Sequence, residues 1–280
     1  MEQNLLQLDN RIVVVTGAGG GGLGTTVTRM AARTGATVIG VSRGQENLDQ
    51  HLGPMVSEGL DIIPLAADVE TDEGVAAVMD CVRSTAGDLH GLVTVVGGGP
   101  PATWGPATRL SRADWHALFS TNLDSMFFMS QAVAAELKQQ GRPGSLVAIS
   151  SITGVGNQPY NIGYGAAKAA VLSVVRTLAL ELAADNIRVN AVAPGAIMSP
   201  ASLLPPDPAL ERRAIPMGRK GDLAEFGGTV LFLLSDLAGY MTGQCLNVDG
   251  GISLKWSHLA EDNTPVLITN QDFLAAMKGE

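Results

Sequence analysis

Tyr164 and Lys168 stand four residues apart in the segment Tyr-Gly-Ala-Ala-Lys, so on a helix both project from one face. A phenol with its ordinary pKa near 10 is a poor acid–base group at neutral pH, and an adjacent ammonium favours the phenolate. Lowering that pKa by ~3 units takes about 4 kcal/mol of differential interaction, within reach of a partly buried cationic neighbour. The same spacing also occurs as a plain surface contact on a helix, so the pair alone leaves two readings open.

A second chemical feature is the run Thr16-Gly-Ala-Gly-Gly-Gly-Gly-Leu-Gly24. Placed between a strand and a helix, such a turn aims backbone N–H groups and a helix N-terminus at a pyrophosphate, with no side chain in the way. The general dinucleotide fingerprint then expects an acidic residue ~20 positions on. Counting from Gly22 gives Ser42, followed by Arg43. The carboxylate that would accept two ribose hydroxyls and repel a 2′-phosphate is therefore missing. Ser42 and Arg43 can both donate to a phosphate, and this predicts NADP(H) rather than NAD(H). A solvated Arg43 would leave NAD(H) possible, and Glu46 could bring a carboxylate near the same place.

These groups need elements to hold them. Short apolar β-branched runs at 12–16, 38–42, 62–66, 92–96, 146–150, 188–193 and 245–248 alternate with segments of helical period at 23–34, 72–86, 112–139, 164–182 and 222–234. That alternation predicts an α/β fold, a Rossmann-like doubly wound parallel sheet of about seven strands with helices on both faces. Ser111 and Asp114 have near-capping-box spacing at the start of the third helix. No break in composition divides residues 1–280, which read as one dinucleotide-binding catalytic domain. Residues 194–220 carry prolines at 194, 200, 205, 206, 208 and 216 and read as a substrate lid, and 252–280 as a C-terminal extension.

Composition sets the outer limits. With 46% apolar and 16% charged residues the chain can bury a large core, and disorder is excluded. A net charge of −9 argues against nucleic-acid or anionic-membrane partners. Two cysteines far apart, Cys81 and Cys245, make no disulfide framework and suit a reducing compartment. The start has no basic stretch followed by an apolar run, and the longest apolar stretch is far below the ~18 residues of a membrane span. A cytoplasmic protein is expected, and no metal site is read.

At this point the chain, from about Leu8 to Gly251, resembles the short-chain dehydrogenase/reductase family, because its motifs arrive in family order. The glycine run with Gly17, Gly22, Leu23 and Gly24 is similar to the cofactor motif, and Asp68-Val69 to the pair beside adenine. Asn122 in STNL and Ser151, thirteen residues before the tyrosine, match the catalytic asparagine and serine. Tyr164 and Lys168 match the YxxxK pair. Pro194-Gly195, Ile197 and Ser199 resemble the segment beside the nicotinamide, and 247–251 the family's last strand ending.

The resemblance implies roles. Tyr164 moves a proton to or from the substrate oxygen as hydride is transferred, and Ser151 hydrogen-bonds that oxygen. Lys168 lowers the tyrosine's pKa and holds the nicotinamide ribose, while Asn122 keeps a water in the proton relay. By residue type alone, Asn122 could equally bond helix backbone, and Ser151 could be a turn residue. The expected activity is interconversion of a ketone and a secondary alcohol, in a homo-oligomer that family resemblance makes a tetramer. Enoyl reduction, epimerisation, dehydration or a non-catalytic nucleotide-binding relative are the alternatives.

Three departures from the family pattern stand out. The glycine loop carries one extra residue, Thr94-Val95-Val96-Gly97 replaces the usual NNAG, and about 29 residues follow Gly251. Gly97 is still expected beside the cofactor, and Thr94 to offer its hydroxyl to a neighbouring strand. The substrate walls are expected to include Trp104, Tyr160, Met198 and Leu203, which suit a fairly apolar small-molecule carbonyl or alcohol. Arg212 and Arg213 could meet an anionic group.

Overall fold

Seven strands pair in parallel in a computed structural model that describes residues 6–200, 206–255, 257, 259–265 and 271–278. They are β1 Arg11–Thr16, β2 Thr37–Ser42, β3 Ile62–Ala66, β4 Asp88–Thr94, β5 Gly144–Ile149, β6 Ile187–Pro194 and β7 Cys245–Val248. Their order is β3-β2-β1-β4-β5-β6-β7. The order reverses between β1 and β4, and a crevice outside the carboxyl ends of the strands at that point is where such sheets bind ligands.

The strands are apolar throughout because both faces are covered. Ile12 and Val14 join one buried cluster, with Val78, Met129 and Val171 from helices on that side. Val13 and Val15 join the other, with Val27, Leu48 and Phe226. The first layer contains α4 Asp72–Ser84, α6 Ser125–Gln140 and α8 Ile162–Leu182. The second contains α1 Leu23–Arg33, α2 Gln45–His51, α3 Gly53–Ser57 and α10 Leu223–Leu234. Asp222 and Glu225 cap α10 reciprocally, each accepting the other's backbone N–H at 2.8 and 2.9 Å.

The single helix expected over 112–139 is instead α5 Arg112–Phe119, a π-turn at Ser120–Asp124, and α6. Two side chains disturb the ladder. Asn122 Nδ2 donates to the Leu118 carbonyl four residues back at 2.9 Å, and Ser125 Oγ to that of Thr121 at 2.6 Å. A side chain inserted into the backbone ladder is a recognised cause of such bulges. The Ser111 cap does form, accepting from Asp114 N at 3.0 Å.

Thr94 behaves differently from expectation as well. Its hydroxyl, expected to reach a neighbouring strand, makes no such bond. Thr94 pairs in register with Thr16, and both hydroxyls are buried with no partner among the described residues.

Past β6 the chain makes α9 Pro208–Ala214, capped by Asp207, and then returns to the sheet. A parallel bridge between Ile197 and Gly221 ties the two ends of this segment together. Beyond Gly251 lie a bridge from Leu259 to Pro265 and α11 Gln271–Lys278. Asn263 Nδ2 donates to the Pro216 carbonyl at 3.1 Å, so the stretch after Gly251 rests on the end of the 194–220 segment. Among the described residues no helix is long and apolar enough to cross a membrane.

Candidate active site

The glycine run forms the β1–α1 turn. Gly17 is left-handed (φ 74°), a short 3₁₀ turn takes up Ala18–Gly20, and Gly21 is again left-handed (φ 69°). The extra residue is thus absorbed as one tight turn. Thr25 staples it from α1: its hydroxyl donates to the Ala18 carbonyl at 2.5 Å and accepts from Gly21 N at 2.9 Å. A Cβ on Gly24 would lie 2.3 Å from the Gly17 carbonyl oxygen, so only glycine lets helix and turn come this close. The result is backbone and a helix N-terminus free of side chains, the chemistry an anionic pyrophosphate requires.

Beside it opens a cavity of about 230 Å³ bordered by Gly17, Ser42, Arg43, Asp68, Val69 and Gly97. Val69 is buried. The Asp68 carboxylate accepts from Glu70 N at 3.1 Å, which fixes the loop after β3. Residues 17–24, 42–43, 68–69 and 97 are therefore gathered along one crevice. The loop stripped of side chains and the adjoining cavity fit a dinucleotide.

Where the crevice passes the carboxyl ends of β4 and β5, four side chains converge. Lys168, 3% exposed, donates from Nζ to the Ile149 carbonyl at 2.9 Å, while Ser150 Oγ donates to the Lys168 carbonyl at 2.9 Å. Helix α7, Ile152–Val155, is capped by Ser151, whose hydroxyl accepts from Thr153 N at 3.2 Å. A Cβ on Gly154 would lie 2.6 Å from the Lys168 carbonyl carbon, so α7 and α8 meet backbone to backbone there. Asn122 is fully buried and its amide is committed: Oδ1 accepts from Gly98 N at 2.8 Å, and Nδ2 donates to Gly98 O at 2.9 Å. A Cβ on Gly97 would sit 2.6 Å from Asn122 Oδ1 and 2.8 Å from Lys168 Nζ, which places those two polar ends on either side of one glycine.

The electrostatics follow from burial. Desolvation lowers the Lys168 pKa to about 8, still mostly charged at neutral pH. Desolvation raises the Tyr164 phenol, and a hydrogen bond with Ser151 pulls the other way. Lys168 Nζ lies 5.8 Å from the centre of the Tyr164 ring. Without ligand the tyrosine is thus protonated, flanked by a hydroxyl and a cation.

A cleft of about 680 Å³ opens in front of Ser151 and Tyr164. Pro194, Gly195, Ile197 and Ser199 line it, as does Trp104, whose indole donates to the Gly99 carbonyl at 2.9 Å. Ser199 faces the phosphate loop: a Cβ on Gly22 would lie 3.8 Å from its side chain. Gly195 is held by Val248, its N–H reaching that carbonyl at 2.9 Å.

Two expected wall residues lie elsewhere. Tyr160 has φ 67°, and its carbonyl accepts from Gly105 N at 2.8 Å. This turns the ring outward, 64% exposed, into an outer groove with Pro159 and Ile162. Met198 is exposed and absent from the cleft lining, because the alternation that turns Ile197 and Ser199 inward turns it out. Leu203 lies outside the described residues. Arg212 and Arg213 are exposed on α9, whereas Lys220 lines the cleft.

Thr153 and Gln158, from the expected wall segment 152–160, line the cleft, whereas sequence reasoning missed Lys220 and Asn161. Asn161 is buried with Oδ1 unpartnered among the described residues, and its place just ahead of α8, three residues before Tyr164, was the available signal. A further cavity of about 660 Å³, bordered by Arg11, His90, Arg188 and Asp236, lies at the opposite ends of the strands, away from these groups.

Comparison with known proteins agrees with this geometry. A family model described as enoyl-(acyl carrier protein) reductase matches residues 17–253. The chain is 36% identical over 251 residues to the 3-oxoacyl-[acyl-carrier-protein] reductase FabG of Thermotoga maritima, covering 88% of this chain and 99% of that protein. It is 30% identical to a 7alpha-hydroxysteroid dehydrogenase of Bacteroides fragilis, covering 89% and 96%. Among solved structures, a gluconate 5-dehydrogenase from Burkholderia cenocepacia J2315, in complex with NADP and tartrate, superposes with a TM-score of 0.83 at 29% identity, covering 90% of this chain and 99% of that one. The sheet order, the crevice at the strand switch and these likenesses identify the chain as an oxidoreductase of the short-chain dehydrogenase/reductase family, acting between CH–OH and C=O.

Proposed function

We propose that the protein interconverts a ketone and a secondary alcohol using NADP(H). The observation that carries this reading is the convergence of Ser151, Tyr164 and Lys168 where the phosphate crevice meets the larger cleft. The nicotinamide, when bound, would supply or accept the hydride. The chain's own residues do the rest. Ser151 holds the substrate oxygen by its hydroxyl, and Tyr164 gives or takes the proton at Oη. Lys168, its ammonium shielded from water, stabilises the phenolate as that proton leaves and is placed to hold ribose hydroxyls.

Asn122 has a second part beside the one its family match implies. Both ends of its amide are engaged by backbone, which makes it a positioning residue for the π-turn and the Gly97–Gly98 strand exit. A water of the proton relay would then be held by backbone carbonyls that the π-turn frees from the helix ladder.

Preference for NADP(H) rests on Ser42 and Arg43 at the rim of the adenosine cavity, and the NADP in the gluconate 5-dehydrogenase complex is in keeping with it. The substrate class, a small and fairly apolar carbonyl or alcohol, is supported by the cleft's Trp104, Ile152, Pro194 and Ile197. A single catalytic domain with residues 194–220 as lid agrees with the Ile197–Gly221 tie, and the free cysteines suit a reducing cytoplasm. We read the assembly as a homotetramer through α5–α6 and α8. Phe128 at 45% and Leu180 at 83% exposure are large apolar groups that such an interface would cover.

Tyr164→Phe is expected to lower turnover at least a hundredfold, within the ~10²–10⁴ of positioned proton transfer, with NADPH affinity little changed. NADPH oxidation followed against ketone and enone panels reads this, and a variant retaining most of its activity, or an enzyme using only enones, would reject the ketone mechanism. Arg43→Ala should erase most of a roughly ten- to hundredfold preference in kcat/KM for NADPH over NADH, leaving NADH kinetics nearly unchanged. Equal kcat/KM for both cofactors in the wild type would overturn the preference.

Lys168 makes a pH-dependent prediction. Its folded pKa of about 8 lies below the ordinary 10.5 of an unfolded lysine, so the unfolded chain binds the extra proton between those values. The buried ammonium therefore costs stability at neutral pH, and the cost fades as pH rises from about 8 towards 10.5. Urea melts should show the stability of Lys168→Met relative to wild type falling across that window. A difference independent of pH would mean that the lysine is not desolvated. Light scattering at micromolar concentration is expected to give a tetramer, and a monomer would refute the interface.

A further inference from the structure

We propose that Glu70 limits how strongly the site favours a 2′-phosphorylated adenosine, by competing with that phosphate for Arg43. The inference rests on the proposed preference for NADP(H) and names the residue that opposes it. The carboxylate suspected from sequence was Glu46. The one that pairs with Arg43 among the described residues comes from the loop after β3: Arg43 Nη1 lies 3.5 Å from Glu70 Oε1.

The two partners are held very differently. Glu70 is 17% exposed in its side chain, and its Oε2 accepts from both Ser120 Oγ and Thr121 Oγ1 at 3.0 Å. Those donors belong to the π-turn that also carries Asn122. Arg43 is 70% exposed in its side chain on a long flexible stem. The carboxylate is thus a fixed negative charge and the guanidinium a movable positive one.

Both border the adenosine cavity, as does Ser42, whose side chain stands against Gly19 of the glycine loop. A 2′-phosphate that draws on Ser42 and Arg43 must take Arg43 from Glu70 and stand near an anchored charge of its own sign. A ribose with a free 2′-hydroxyl meets neither penalty. Discrimination depends on the repulsive element as much as on the attractive one. Here an attractive arginine and a repulsive carboxylate act on the same phosphate.

Calorimetric titration of the full chain with 2′,5′-ADP and with 5′-AMP isolates the phosphate without any catalytic turnover. Glu70→Gln keeps an acceptor for Ser120 and Thr121 but removes the charge. It should bind 2′,5′-ADP about three- to tenfold more tightly, with 5′-AMP unchanged, and the gain should shrink when Arg43→Ala is added. Unchanged or weaker 2′,5′-ADP binding by Glu70→Gln, or a gain that persists undiminished in the double variant, would overturn the proposal. If Arg43→Ala alone leaves 2′,5′-ADP binding untouched, the NADP(H) reading falls and takes this inference with it. If Arg43→Ala weakens binding while Glu70→Gln does nothing, only the role of Glu70 is lost.

Discussion

A lysine ammonium shut away from water at the carboxyl ends of the strands is the constraint around which the site is built. A charge in that position is expensive unless it is hydrogen-bonded. Lys168 meets the requirement by donating to the last carbonyl of β5, and Ser150 closes the arrangement by donating back to the lysine's own carbonyl. Strand end and helix are thereby fixed to each other at two points. Gly154 lets α7, with Ser151 at its head, come into backbone contact with the same residue, and Gly97 leaves space for the ammonium to face the crevice. The same burial leaves little water to screen the ammonium from groups around it, the Tyr164 ring 5.8 Å away among them.

The π-turn is the second organising feature, and it serves both ends of the crevice. Towards Lys168, Asn122 spans from the Leu118 carbonyl to Gly98, joining helix to strand exit. Towards the cavity bordered by Ser42 and Arg43, the two preceding hydroxyls grip Glu70. The local irregularity thus ties α5 and α6 to both walls of the crevice.

Much of this architecture is legible in the residues themselves. Runs such as Ile-Val-Val-Val at 12–15 can be satisfied only by a strand covered on both sides, and those side chains do divide between two cores. The tyrosine–lysine spacing and the unbroken glycines carry their chemistry openly. Other features were hidden for physical reasons. The π-turn left the apolar pattern of 112–139 almost intact, so periodicity could not reveal it. Helices α2 and α3 are short and partly polar, below the length at which a pattern stands out. Tyr160 turned outward because of a backbone conformation that no side-chain chemistry announces. Glu70 and Lys220 meet neighbours fifty and nine positions away, Ser120 for the first and Glu211 for the second, and only the folded chain brings them together.

The parallel bridge between Ile197 and Gly221, reinforced by Met198 N to the Gly221 carbonyl and Gly221 N to the Ala196 carbonyl, has a consequence for descent with modification. It makes the intervening stretch a closed excursion whose mouth is fixed independently of what lies inside. Joining the ends of a loop costs entropy that grows only as the logarithm of its length, roughly 0.6 kcal/mol for each doubling. Insertions and deletions within the excursion are therefore nearly free of penalty for the sheet, while Ile197, Ser199 and Lys220 at its two ends line the cleft in front of Tyr164. A lineage carrying this knot can try new molecular appetites by rewriting one loop and leave its proton chemistry untouched.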